Sequence, residues 1–446
     1  MILLKNLFEK ILLKEVNKFN NRNIFCLYLL FLLFVITISI IFYKNFIYLY
    51  PEIIDSEFNI VYKNIPFEYG KLIENLIINK KYSSTISVLN NDVEFYLNRM
   101  PVVPFIFFLT NLVSSKLYFL IIAKNTIFFS ILFFTILEFS KQKNYKLFSF
   151  LILNLIFFYN FYNLKIIFNF VYADFITALF LPILFLISIS NFKLKYYYIG
   201  LLILVLYLSK ANMFPICVLL SIYFLFFEKK KIPIVFTLIA VIGWGFFGYI
   251  KTNKFPFGSS IMSTSSYALS LSFNKDFREF YPLTSVDYIE GCDLTNMGKI
   301  KLCKNVPNKI KNEWDYYNYY KKQNKNYLIE NKKIIFEDII LKVKTIFFNF
   351  YVDGQIYKKN ESPKKEIDFF ILLNKLIFII SIVIAIKSIF KEKFVLDKIR
   401  VEIIFLVIFF SSLPSYLLGW ALNRHLVYLF LISKIYLFLK YNLKLK

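Results

Sequence analysis

Asp55 is the residue best placed to do chemistry at a membrane surface. It follows a long apolar stretch, residues 24–50, in the segment Pro51-Glu52-Ile53-Ile54-Asp55-Ser56-Glu57. About 20 apolar residues suffice for a helix to cross a bilayer, so Asp55 and Glu57 stand where a first span meets water. A carboxylate at that depth can take a proton from a hydroxyl or amine held beside it. Asp174, Arg99, Lys210 and the pair Arg424-His425 are further ionisable residues at the edges of apolar runs, and His425 is the only histidine in the chain. Each has a plain alternative role. Asp55 can solvate a helix end, and Asp174 can stabilise a helix N-terminus. Arg99 can anchor the interface by snorkelling. Lys210 is equally a helix-end lysine, and His425 a satisfied interfacial histidine. Ionisable groups near membrane depth nevertheless favour function.

The elements that must position these residues are membrane spans. Hydrophobic residues make up 58% of 446 residues and the mean hydropathy is +0.57. Apolar runs recur along the whole chain, which excludes a soluble globular protein. The 56 Phe and 33 Tyr accompany abundant Ile, Asn and Lys, a pattern of compositional bias that leaves any single aromatic with little weight.

A formal charge of +25 raises nucleic acid as a partner, but its placement argues against one. Basic residues cluster at alternate span ends: Lys5 to Arg22, Lys141 to Lys146, Lys193 and Lys195, Lys229 to Lys231, Lys387 to Arg400, and Lys440 to Lys446. The short turns between carry only Lys165, Lys210 and Arg424. This is the positive-inside pattern, reinforced by anionic lipid headgroups. It predicts an all-α polytopic membrane protein with about ten transmembrane helices, near 24–50, 117–138, 147–163, 173–191, 196–209, 213–228, 232–250, 366–388, 401–420 and 424–441. Both termini are then cytoplasmic and the membrane is a bacterial-type inner (plasma) membrane. The first residues, MILLKNLFEKILLKEVNKF, predict an inner-surface amphipathic helix.

Two large loops fall on the outer face. The membrane domain, 1–250, contains the first, 51–116. The second is 251–365, and the C-terminal spans occupy 366–446. In the first loop the apolar spacing around Tyr69 to Ile77 predicts a helix, and the short run Pro101 to Leu109 predicts an interfacial segment. Asp92 and Glu94 are expected at its surface. The second loop predicts an amphipathic helix over 334–351. Lys124 and Lys375 fall inside spans, where they must reach the interface or pair across helices. Cys26 and Cys217 lie in spans and are expected to pack. Cys292 and Cys303, ten residues apart in the sequence DLTNMGKIKL that they flank, predict a disulfide in an oxidising compartment. Zinc is the weaker alternative, with one His and no Cys-x-x-Cys.

The chain resembles the multi-span GT-C glycosyltransferases, the superfamily of protein O-mannosyltransferases and bacterial aminoarabinose transferases. The resemblance covers most of the chain as an ordered pattern. It begins with Asp55, Tyr62 and the Tyr69-Gly70 helix, and continues through Asp92. The segment Arg99-Met100-Pro101-Val102-Val103-Pro104 is similar to the R-x-P-x-x-P entry to the second span. Asp174 opens an outer-end span, Leu208-Ser209-Lys210 resembles the L-x-K turn, and Asn312-Glu313-Trp314-Asp315 precedes a helix ending near Lys344. Arg424-His425 resembles the late R-[YH] position. Two departures stand out: Glu57 lies two residues after Asp55 where the family has adjacent acids, and Gly-rich turns are sparse.

The resemblance implies transfer of a sugar from a polyprenyl-phosphate-linked donor to a glycan, lipid or protein acceptor on the outer face. Asp55 or Glu57 would be the general base. Arg99, Lys210 and Arg424 would hold the donor phosphate, Arg being suited to bidentate contact. Asp92, Asp174 and His425 would order loops or bind acceptor. An inverting single displacement is the implied mechanism. Some relatives hold a divalent cation between carboxylates, and Asp55, Glu57 and Asp92 offer oxygen ligands suited to Mg²⁺ or Mn²⁺. Besides donor and acceptor, membrane lipids are the partners; no nucleic acid is expected. Two rivals remain: a surface-polysaccharide polymerase or ligase, and a lipid-linked oligosaccharide flippase or other transporter. Transporters favour internal repeats and broken spans, and neither is visible here.

Overall fold

A computed structural model describes residues 21–49, 51–57, 59–65, 69–88, 91–97, 99–143, 174–256, 311–351, 367–392, 395–418 and 423–442. The expected span 147–163 and the N-terminal helix lie outside them. The chain folds as a helical membrane protein. Helices occupy the remaining expected spans: α1 (Asn21–Leu49), α4 (Leu117–Lys143), α5 (Asp174–Ser188), α6 (Lys195–Ser209), α7 (Phe214–Phe226), α8 (Ile232–Thr252), α11 (Phe369–Lys391), α12 (Leu396–Leu417) and α13 (Val427–Asn442). Five stretches among the described residues are long and apolar enough to cross a membrane: Ile24–Lys44, Leu117–Glu138, Ile232–Thr252, Phe369–Lys391 and Ile399–Leu417. The loops add α2 (Tyr69–Ile78), α3 (Val102–Asn111), α9 (Glu313–Glu330) and α10 (Lys332–Phe348).

Helix α5 is the centre of the bundle. All fifteen of its residues are buried, and it packs against α4, α6 and α13. A helix apolar all round has no lipid or water face to keep, so it belongs in the interior. Around it, α6 packs on α8, α7 on α8 and α12, and α11 on α12 and α13, while α1 packs outside α4. In lipid, close contact rather than apolar burial holds helices together. Gly200 of α6 allows such contact, because a Cβ there would come within 2.5 Å of the Phe236 ring on α8. Polar bonds also link neighbours: Tyr28 to Ser130 at 2.8 Å, and Asn125 Nδ2 donating to Ser39 Oγ at 3.0 Å, join α1 and α4.

Both described loop segments pack at one end of this bundle. Tyr82 of the first loop sets its ring against Trp244 and Phe247 of α8 at 6.3 and 5.5 Å, and Lys254, just past α8, lies over the Trp314 ring of α9. The α2 and α10 positions agree with the helices expected there. Sequence reasoning missed two features. Residues Ser84–Val88 (β1) and Asn91–Phe95 (β2) form an antiparallel hairpin pairing Ser84 with Phe95 and Val88 with Asn91, so the first loop is not wholly helical. The second loop breaks at Asn331 into two helices instead of one. A further correction concerns Cys26: it is exposed rather than packed, whereas Cys217 is buried as expected. In lipid a thiol can face the acyl chains as a small apolar group.

Candidate functional site

After α1 the chain makes a short 3₁₀ turn, Pro51–Ile53, and folds back through a bridge between Ile54 and Ile60. Asp55 caps this turn. Its Oδ1 accepts the backbone N–H groups of Glu57 and Asn59 at 2.9 and 2.8 Å, and its Oδ2 accepts Asn59 Nδ2 at 3.0 Å. The same amide reaches Glu57 Oε2 at 3.4 Å. The structure thus brings the two candidate acids together through Asn59. The turn is tied to the start of α4. Lys116 Nζ donates to the Glu57 carbonyl at 2.5 Å, Ile60 N to the Ser115 carbonyl at 3.0 Å, and Ser115 Oγ to Asn59 Oδ1 at 2.8 Å.

Asp55 is exposed. The Asn59 side-chain and backbone bonds lead in holding its carboxyl below the usual aspartate range, and the Glu57 backbone bond and the nearby Lys116 ammonium add to this. A carboxylate so stabilised stays ionised and is a strong acceptor for a substrate hydroxyl or a cation. Its reduced basicity lowers the driving force for removing a proton.

Arg99 lies further along the first loop. Its guanidinium carbon stands 5.3 Å from the Tyr69 ring centroid, and its carbonyl accepts the Tyr82 hydroxyl at 2.6 Å. Burial pushes the Tyr82 hydroxyl well above its ordinary range, so it serves as a neutral donor. Asp92 pairs in register with Ser87 on the hairpin.

Asp174 and Lys210 form an ion pair between the first turn of α5 and the end of α6. Asp174 is 4% exposed, and the α5 N-terminus adds its positive end. The lysine expected to hold phosphate therefore already shares its charge with the acid expected to bind acceptor. Beside the pair runs a hydroxyl chain. The Tyr416 and Tyr428 hydroxyls lie 2.5 Å apart, with Tyr428 also reaching Ser412 Oγ at 2.8 Å and Tyr416 the His425 carbonyl at 2.7 Å, so two protons are shared among three contacts. The His425 ring lies near-parallel to Tyr416 at 6.5 Å. Arg424 belongs to the 3₁₀ turn Asn423–Leu426 that precedes α13; its side chain lies outside those described. Cys292 and Cys303 lie outside the described residues, as does the bridge expected between them.

The two lysines expected inside spans find partners inside the protein. Lys375 Nζ donates to the Thr345 carbonyl at 2.6 Å, and Lys124 Nζ stands 4.0 Å from the Phe175 ring centroid. A third buried lysine, Lys342, donates to the Leu417 carbonyl at 3.1 Å. Thr345 and Leu417 end α10 and α12, so two of these cations sit on the negative ends of helix dipoles. Burial brings Lys342 down to about 7, with Asp338 opposing the shift.

Among the described residues, no group of three or more His, Cys, Asp or Glu could hold a metal ion. Sequence reasoning missed Asn59, Lys116, Tyr416 and Tyr428. The Asp55-x-Glu57-x-Asn59 spacing signals a side-chain-capped turn; nothing local announces that Ser115 and Lys116 would close it. Comparison with known proteins returned no matching family model, no matching curated protein and no matching solved structure.

Proposed function

We propose that this protein is a membrane glycosyltransferase that moves a sugar from a polyprenyl-phosphate carrier to a glycan, lipid or protein acceptor on the outer face. The observation that carries the proposal is the Asp55 turn: an exposed, ionised carboxylate directly after α1, built together with Glu57 and anchored to the start of α4. It shares the loop-bearing end with the cations Arg99 and Lys116 and with the Asp174–Lys210 pair. Asp55 or Glu57 would accept the proton of the incoming hydroxyl or amine. Arg99 and Arg424 would hold the lipid phosphate as the glycosidic bond breaks, with Lys210 joining them if its pairing with Asp174 relaxes. The reaction would be a single displacement with inversion. The loop-bearing end would then be the outer face, and both termini cytoplasmic, a reading the basic clusters support. A Mg²⁺ or Mn²⁺ ion is not needed for this scheme, and activity in chelator measures whether one takes part.

The test is sugar transfer by purified protein in liposomes, with a panel of radiolabelled polyprenyl-phosphate sugars. Label in an acceptor supports the proposal. Movement of labelled lipid between leaflets without transfer moves the reading to a transporter, and extension of a lipid-linked glycan chain moves it to a polymerase or ligase.

A further inference from the structure

Glu313 opens α9 in the second loop, yet its carboxylate is spent on the first loop. Oε2 accepts the backbone N–H groups of Leu97 at 3.1 Å and Tyr96 at 3.3 Å. The residue is 1% exposed, and Oε1 is buried with no hydrogen-bond partner. Its neighbour Trp314 is buried too, with Nε1 equally unpartnered. The α9 start is therefore held by Glu313 and by ring packing, Lys254 Nζ standing 5.2 Å from the Trp314 ring.

The strand end that Glu313 grips leads directly to Arg99. Leu97 is fully buried, and two residues later the Arg99 carbonyl is fixed by Tyr82. We propose that Glu313 is a proton-operated positioning residue that docks the second loop on the first and thereby fixes the segment carrying Arg99. A buried carboxylate with one dry oxygen is costly when charged, and protonation on Oε1 removes that cost while Oε2 still accepts both N–H groups. The docked form therefore takes up a proton, and rising pH favours release.

The surroundings agree in sign. Burial leads in raising Glu313 from 4.5 to about 7, Glu94 adds to it, and the Leu97 and Tyr96 N–H groups oppose it. The other ionisable groups around the junction are Tyr96 just after β2, Lys81 paired with Glu94 at 2.6 Å, Lys251 over the Tyr96 ring, Lys254 over Trp314, and Asp315 on α9 itself. For a group raised in the docked state, the contribution is complete below 4.5 and is lost as pH rises through about 7.

The docking claim stands apart from the proposed reaction, whereas its effect on Arg99 rests on the glycosyltransferase reading. The experiment is hydrogen–deuterium exchange of the full chain in lipid nanodiscs, following the amides around Tyr96 and Leu97 and correcting for intrinsic exchange. In wild type, opening should increase with pH by up to about tenfold per unit between 4.5 and 7. Glu313→Gln should remove that pH dependence while keeping the amides protected, and Glu313→Ala should leave them unprotected at every pH. In the transfer assay, wild type should lose activity as pH rises to about 7 and Glu313→Gln should not. Opening that is flat with pH in wild type, or a Glu313→Gln protein that keeps the wild-type slope, overturns the proposal. Absence of transfer from every donor would overturn the reaction and leave the exchange result to decide the docking.

Discussion

The end of the bundle away from the loops and the end that carries them hold their charges differently. At the far end, Glu228 takes Nε and Nη2 of Arg400 at 2.8 and 2.9 Å and the Tyr196 hydroxyl at 2.8 Å, with Lys195 at 3.7 Å. Arg400 and Lys195 also donate to the Ser188 carbonyl, at 2.7 and 3.4 Å, where α5 ends. Nearby, Lys440 bonds Glu402 and Ser388, each at 2.6 Å, joining α11, α12 and α13. The acids are the most enclosed members, Glu228 at 11% and Glu402 at 1% exposed, the cations are half-buried or buried, and together they link six helix ends. At the loop-bearing end the Asp55 carboxylate is exposed and bonded only within its own turn and to Asn59. The far end is built as a lock; at the loop-bearing end the Asp55 turn keeps its charge at the surface.

That contrast can be broken most forcefully at the lock. Removing one member of a buried pair strands the other, at a cost of about 3–5 kcal/mol. Arg400→Ala and Lys440→Ala should therefore show the largest loss of thermal stability, read from the melting temperature in detergent. A melting temperature equal to wild type would show that these networks are solvated and that the ends do not differ. The Asp174–Lys210 pair comes next. Asp174→Asn should destabilise by about 2 kcal/mol, because Lys210 is partly exposed and can turn towards water. The same variant should weaken transfer through the rearranged lysine, and an unchanged Michaelis constant for donor would remove Lys210 from the phosphate site.

The smallest effects belong to the exposed loop charges. The Lys81–Glu94 pair is 46% and 37% exposed, so Glu94→Gln should leave the melting temperature within error of wild type. The Asp55 turn provides the pH check. A carboxyl held below its ordinary 3.8 contributes above that value and loses its contribution as pH falls through it. Exchange of the Asn59 amide should thus stay protected at about pH 5 and rise only in stronger acid. Loss of protection near neutral pH would mean that Asp55 is not the group closing the turn.

How much of this was legible in the sequence follows from the range of each interaction. The apolar helices were readable because the apolar runs that form them are local signals. The α2 and α10 helices were readable from their spacing. The hairpin was not, because the alternation in Ser84 to Val88 is limited to Ile86-Ser87-Val88 and no Gly follows it in Leu89-Asn90. Lys210 and Asp174 were recognised singly, but their pairing needs α5 and α6 side by side, 36 residues apart in sequence. Glu313 stood out only as part of the segment Asn312 to Asp315 before a loop helix; its burial comes from the docking of the two loops, 216 residues apart.

The central claim is that chemistry belongs to the loop-bearing end and begins with Asp55. Its most direct measurement is sugar transfer per folded molecule for Asp55→Asn against wild type, with the melting temperature of the same samples. The account predicts transfer lost with the melting temperature unchanged. Transfer at the wild-type rate in a folded Asp55→Asn protein would contradict it.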